Sequence, residues 1–155
     1  MEPSVQKENV SRRDIRGIVF HILYTLDSFE YTIGTDEVVA SFNKEFELSI
    51  DPEGDAVMMA RGIVQHRTEL DTRLVPLFAN WRPERIGTCT HLILLMATWE
   101  YFFDTTPSTV IINEAIELAK NFSEKDAYKF VNGVLDELFK TNPDRPSSAS
   151  TEITE

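Results

Sequence analysis

Apolar residues recur along this chain at the three-and-four spacing of helices that bury one side, with no convincing run at the alternate spacing of strands. The clearest run follows Ser11, which can cap a helix whose inward positions are Ile15, Ile18, Val19, Ile22, Leu23 and Leu26. The segment SFEYTIGTD breaks that pattern, and Thr35 or Asp36 can cap a short second helix with Val38, Val39, Phe42 and Phe46 inward. Asp51 followed by Pro52 marks a third start, because proline is accommodated in a first helical turn. From there Val57, Ala60, Ile63, Val64, Arg67, Leu70 and Leu74 continue one stripe, which Pro76 should kink or end.

Pro83 in NWRPERIG reads as another helix beginning, ahead of LILLMATWEYFF, the most apolar run in the chain. A helix apolar on nearly every side belongs at the centre of a bundle, covered all round. DTTPS separates it from IINEAIELAKNF, where Ile111, Ile112, Ala115, Leu118, Ala119 and Phe122 share a face. SEKD offers a capping-box pattern from Ser123 to Asp126 for a last helix, with Ala127, Phe130, Val131, Val134, Leu135, Leu138 and Phe139 inward. Inside that helix Gly133 costs about 1 kcal/mol relative to alanine, which is tolerable where another backbone crosses closely. Beside it Asn132 is either bonded to a neighbouring segment or set on a contact surface. The pattern predicts an all-α bundle of six to seven helices in one domain over residues 11–140. Residues 1–10 read as a flexible arm, and the Pro/Ser/Thr-rich stretch 141–155 as a disordered tail.

Composition changes this picture in two places. The chain of 155 residues is 42% apolar and carries a formal charge of −11, which at first argues against a phosphate-bearing partner. The excess is local: residues 27–55 hold nine acids against Lys44, whereas residues 1–16 hold four bases against three acids. A basic face therefore remains available outside the acidic segment. No run reaches the about 18 apolar residues of a membrane span, and MEPSVQKENV lacks a secretory apolar stretch, so a cytoplasmic protein is expected. Cys89, the single cysteine, cannot close an internal disulfide and reads as a small core residue.

Candidate chemistry is sparse. His21, His66 and His91 fall on three predicted helices without a second ligand at metal-binding spacing, and no glycine loop cradles phosphate. Glu114, Glu117, Asp136 and Glu137 read as solvated acids on helix faces, and Glu100 as a hydrogen-bonded structural acid near a helix end. No enzyme, metal or cofactor is expected.

Long, ordered motifs carry a resemblance. INEAIELAK followed by KFVNGVLD, with SRRDIRGIVFHILYTLD ahead of them, WRPERI and ATWEYFF, is similar to the signature of the NusB transcription antitermination factor family over residues 11–140. The resemblance implies an all-helical fold of two three-helix halves, without catalysis. It also implies binding to the boxA element of nascent ribosomal RNA together with the ribosomal small-subunit protein NusE, within the RNA polymerase antitermination complex. Arg12, Arg13 and Arg16 match the family's basic N-terminal cluster, and Tyr24 its Leu-Tyr pair, on the RNA-binding side. In the last helix Lys129, Phe130 and Asp126 match positions of the RNA surface, with Lys125 and Asn132 beside them. Asp14 interrupts the basic run. The NusE-binding positions fall at Thr90, His91 and Leu95, where relatives commonly have an acid at the first and an arginine at the last. Two other readings stay open: a helical protein-binding adaptor, and the RNA-binding module of ribosomal RNA methyltransferases, which calls for a further domain beyond residue 155. Whether the free protein forms a homodimer is also left open.

Overall fold

The first helix, α1 (Arg12–Ser28), starts where its cap dictates. Ser11 Oγ accepts from the Asp14 amide at 3.0 Å, and the Asp14 carboxylate accepts in return from the Ser11 amide. Asp14, an interruption of the basic run in sequence, is thus half of a capping box and places negative charge at a helix N-terminus. Val19, Ile22, Leu23 and Leu26 are fully buried along α1. The computed structural model describes residues 11–81 and 86–145; the arm read over 1–10, the helix start read at Pro83 and the tail beyond 145 lie outside the described residues.

Six further α-helices follow among the described residues, and no strand: α2 (Thr35–Glu45), α3 (Asp55–Gln65), α4 (Arg67–Leu74), α5 (Thr88–Phe103), α6 (Ser108–Phe122) and α7 (Ala127–Lys140). A 3-10 turn, Val75–Asn80, follows α4 with Pro76 in its first turn. The chain separates into two units, Met1–Gln65 with α1 to α3 and His66–Glu155 with α4 to α7. The long third stripe is therefore cut at His66, whose ring stacks on Phe103 at 4.3 Å and whose Nδ1 meets Glu69 Oε1 at 3.2 Å. The extra short helix gives three helices in one unit and four in the other.

Several helix starts differ from the sequence expectation for local reasons. Glu37 Oε1 accepts from the Gly34 amide at 2.8 Å, so α2 is capped one residue before Thr35. The α3 start moves from Pro52 to Asp55 because Asp51 makes a turn of its own, its Oδ1 accepting from the Glu53 amide and its carbonyl from the Gly54 amide. Ser123 does not cap α7: its hydroxyl accepts from Thr90 Oγ1 at 3.1 Å, and α7 begins after Asp126, which has φ 70° and no side-chain cap bond. Phe46, expected inside, ends α2 and is 65% exposed.

Helix α5 is buried nearly all round, with Leu92 through Thr98 unbroken, and packs against α4, α6 and α7. Glu100 is buried in its last turn and is not without partners. Beyond α7, Thr141 to Arg145 are held in place where a disordered tail was expected. Tyr101 Oη donates to the Asn142 carbonyl at 2.6 Å, and the Arg145 guanidinium donates to the carbonyls of Glu100, Tyr101, Asp104 and Thr106 at 2.6–3.1 Å. Burial pushes the Tyr101 phenol above its ordinary pKa, an effect that Arg145 opposes and Asp144 reinforces, so the hydroxyl stays protonated as a donor. No helix of the described residues is long and apolar enough to cross a membrane.

Candidate nucleic-acid interface

The first unit brings together part of the sequence-predicted RNA set. Arg12 and Arg13 are exposed on the first turn of α1, whereas Arg16 is only 5% exposed. Arg16 stands three, four and seven residues before Val19, Phe20 and Leu23, all buried, so helical spacing turns it toward the core side. That stripe was readable in sequence and was obscured by the match to a basic cluster. Its side chain is engaged within the fold, and the surface charge of this helix start rests on Arg12 and Arg13. Tyr24 is 46% exposed and stacks on Phe20, with centroids 6.3 Å apart.

The second unit gathers the rest on and before α7. Lys125, Asp126, Lys129 and Asn132 are all exposed. Lys129 Nζ lies 3.8 Å from Asp126 Oδ1, a surface pair worth well under 1 kcal/mol, so the ammonium can be drawn away by a phosphate. Lys129 and Asn132, three apart, share one face, while Val131, Val134 and Leu135 are fully buried. Phe130 is half-buried, its ring 5.1 Å from Trp81 and 5.6 Å from Phe78.

The partner-binding set is divided by burial. Leu95 is 2% exposed and Thr90 is 4% exposed with its hydroxyl donated to Ser123, so neither side chain offers a docking surface. The reason is the all-round burial of α5. His91 alone of the three retains partial exposure, its Nε2 2.6 Å from Asp71 Oδ1 and its ring against Phe78. Cys89 is half-buried rather than core, and burial followed by the charge of Glu124 raises its thiol pKa.

A family model described as the NusB family matches residues 13–140. The chain belongs to the NusB family. Among NusB relatives, the transcription antitermination protein NusB of Staphylococcus epidermidis is 35% identical over 129 residues, covering 83% of this chain and 98% of that protein. The Staphylococcus aureus protein of the same name is 34% identical over 131 residues, covering 84% of this chain and all of its own length. The T. maritima NusB structure superposes with a TM-score of 0.69 at 28% identity, covering 84% of this chain and 91% of that one. A crystal structure of the antitermination factors NusB and NusE with dsRNA, at 20% identity and a TM-score of 0.68, covers 84% and 96% and shares the fold.

Against that NusB background, sequence reasoning missed the role of Trp81. A glycine in the middle of α7 signals that something lies close, and what lies there is an indole rather than a second helix. A Cβ built on Gly133 would stand 2.8 Å from Trp81 Cζ2 and 3.3 Å from Cη2. Gly133→Leu gains about 1 kcal/mol of helix propensity and loses about 1–3 kcal/mol to overpacking. A modest fall in melting temperature is expected, with a red shift of indole emission as Trp81 is displaced. In a Trp81→Ala background the clash is gone, and Gly133→Ala is expected to stabilise by up to about 1 kcal/mol. Thermal melts of the four combinations check both signs.

Proposed function

We propose that this NusB-family chain is a transcription antitermination factor that binds boxA-type single-stranded RNA of nascent ribosomal transcripts together with NusE, acting within the RNA polymerase antitermination complex. The family match over residues 13–140 carries the reading, and the antitermination proteins at 34–35% identity support it. The NusB–NusE–dsRNA structure adds support for RNA and NusE as the two partners. Arg12 and Arg13 in the first unit, with Lys125 and Lys129 in the second, supply exposed cations for phosphates, and Phe130 supplies an aromatic edge. The acidic stretch 27–55 contributes none of these groups. No catalytic step is part of this role.

The test is a titration of boxA RNA at several salt concentrations, with and without NusE. Each phosphate contact on a single strand adds about 0.7 to the slope of log affinity against log salt. The Arg12→Ala/Arg13→Ala variant is expected to lose affinity and to flatten that slope by about 1.4, while melting like the parent. A folded double variant that binds with the parent's affinity and slope overturns the role of the two arginines. The net charge of −11 favours a second reading, a protein-binding adaptor, for which NusE binds and boxA RNA does not. Sedimentation of the free chain reads whether it pairs with a second copy.

A further inference from the structure

Three aromatic rings in the second unit form a graded column. Phe78 is 7% exposed and sets its ring against His91, whose Nε2 is fixed by Asp71. Phe130 lies tilted on Phe78 at 5.6 Å and is half-buried. Trp81 meets Phe130 edge-on, with centroids 5.1 Å apart and planes at 84°, and is 40% exposed. Its Cζ2 and Cη2 edge is seated on the α7 backbone at Gly133, the one position of that helix without a side chain to obstruct it. On α7 the exposed residues nearest this seat along the chain are Asn132 beside it, Lys129 one turn earlier, and Asp136 and Glu137 one turn later.

A large exposed indole loses free energy by facing water, and α7 gives up helix propensity to seat it. Packing against Phe130 accounts for the ring's inner edge and leaves the exposed part unexplained. A ring held on two sides is already oriented, so a planar partner stacks on it without an ordering cost. A cation one turn away along the same helix suits a phosphate attached to that planar partner. The ligand with both features is a nucleotide of an unpaired strand, whose base offers a π-face and whose backbone offers the charge.

We propose that Trp81 is a base-stacking platform: one unpaired base of the bound RNA lies on its exposed indole, with Lys129 and Asn132 beside the adjoining backbone. This rests on the RNA-binding reading above and assigns one aromatic contact within it. Stacking of this kind tolerates any base, so the platform adds affinity and fixes the path of the strand rather than its sequence.

The experiment uses the full chain and a 5′-labelled boxA RNA 12-mer at several salt concentrations. Trp81→Ala is expected to weaken binding roughly ten-fold or more without changing the salt slope, and Trp81→Phe to keep most of the affinity. Lys129→Ala shows the opposite signature, a flatter slope by about 0.7. In a Trp99→Phe background, where Trp81 is the one indole left, RNA is expected to quench its emission. A parent that binds RNA while both Trp81 variants bind equally well, or whose single indole is not quenched at saturation, overturns the platform and leaves the RNA reading standing. A parent that does not bind RNA overturns the RNA reading itself. Weakening that Trp81→Phe fails to restore, with a changed salt slope, assigns Trp81 to packing alone and also overturns the platform.

Discussion

Leu95→Ala is expected to lower the melting temperature by roughly 6–12 °C, the consequence of about 3 kcal/mol lost from a 155-residue chain. Leu95 is 2% exposed in the middle of α5, flanked by Leu94 and Met96, which are equally enclosed. Removing its branched end forfeits both the transfer free energy of the methyls and the contacts across the cavity they leave. A position on a partner surface behaves otherwise: truncation there leaves stability nearly unchanged and weakens binding. Thermal melts and a NusE titration on this variant distinguish the two roles. A Leu95→Ala protein that melts like the parent and binds NusE poorly sinks the core assignment. Leu95→Arg is expected to be worse than Leu95→Ala, because an unpaired guanidinium would be buried.

The second large effect is expected from Arg145→Ala. The guanidinium donates four hydrogen bonds to backbone carbonyls, three of them at the C-terminal end of α5, and its carbon lies 4.5 Å above the Tyr101 ring. Helix C-termini leave carbonyls without intrahelical donors, and a cation there also meets the negative end of the helix dipole. Hydrogen bonds to a charged group contribute about 1.5–3 kcal/mol each when isolated. Water replaces part of that at a half-exposed site, so a total loss of about 3 kcal/mol is expected. Arg145→Lys is expected to recover only a fraction, since an ammonium lacks the planar fork that reaches carbonyls from Glu100 to Thr106 at once. Calorimetric melts of both variants decide this. Identical melting of Arg145→Ala and the parent shows that the segment after α7 is a passive tail.

Such a segment explains why composition misled at the C-terminus. Thr141 to Arg145 contain no apolar periodicity, and their order comes from hydrogen bonds to residues about forty positions earlier. Periodicity registers only what a residue shares with its neighbours along one helix. Burial of Arg16 was within reach of the same logic, because Val19, Phe20 and Leu23 stand on its face. Thr90 and Leu95 were harder, since α5 is apolar in every direction and gives no hint of an outer side.

The sequence by itself determined the helical class, most of the inward face of α1, α6 and α7, the central place of α5 and, through INEAIELAK and KFVNGVLD, the family, whereas Phe122, read as inward on α6, is 38% exposed and Phe130 on α7 is half-buried. The helical class and the inward faces follow from local physics: a 3.6-residue period, capping groups and chain-breaking prolines act within a few residues of one another. It also flagged Gly133 as a point of close approach. Only the tertiary structure decided that the approaching group is Trp81, fifty-two positions earlier, and that Phe78 and Phe130 hold it there. Which of the candidate side chains reach the surface was decided at the same level, for Lys129 and Asn132 stay outside while Thr90 and Leu95 do not. The reason is that exposure is a property of what packs over a side chain, and the covering groups come from distant parts of the chain whose meeting no local pattern encodes.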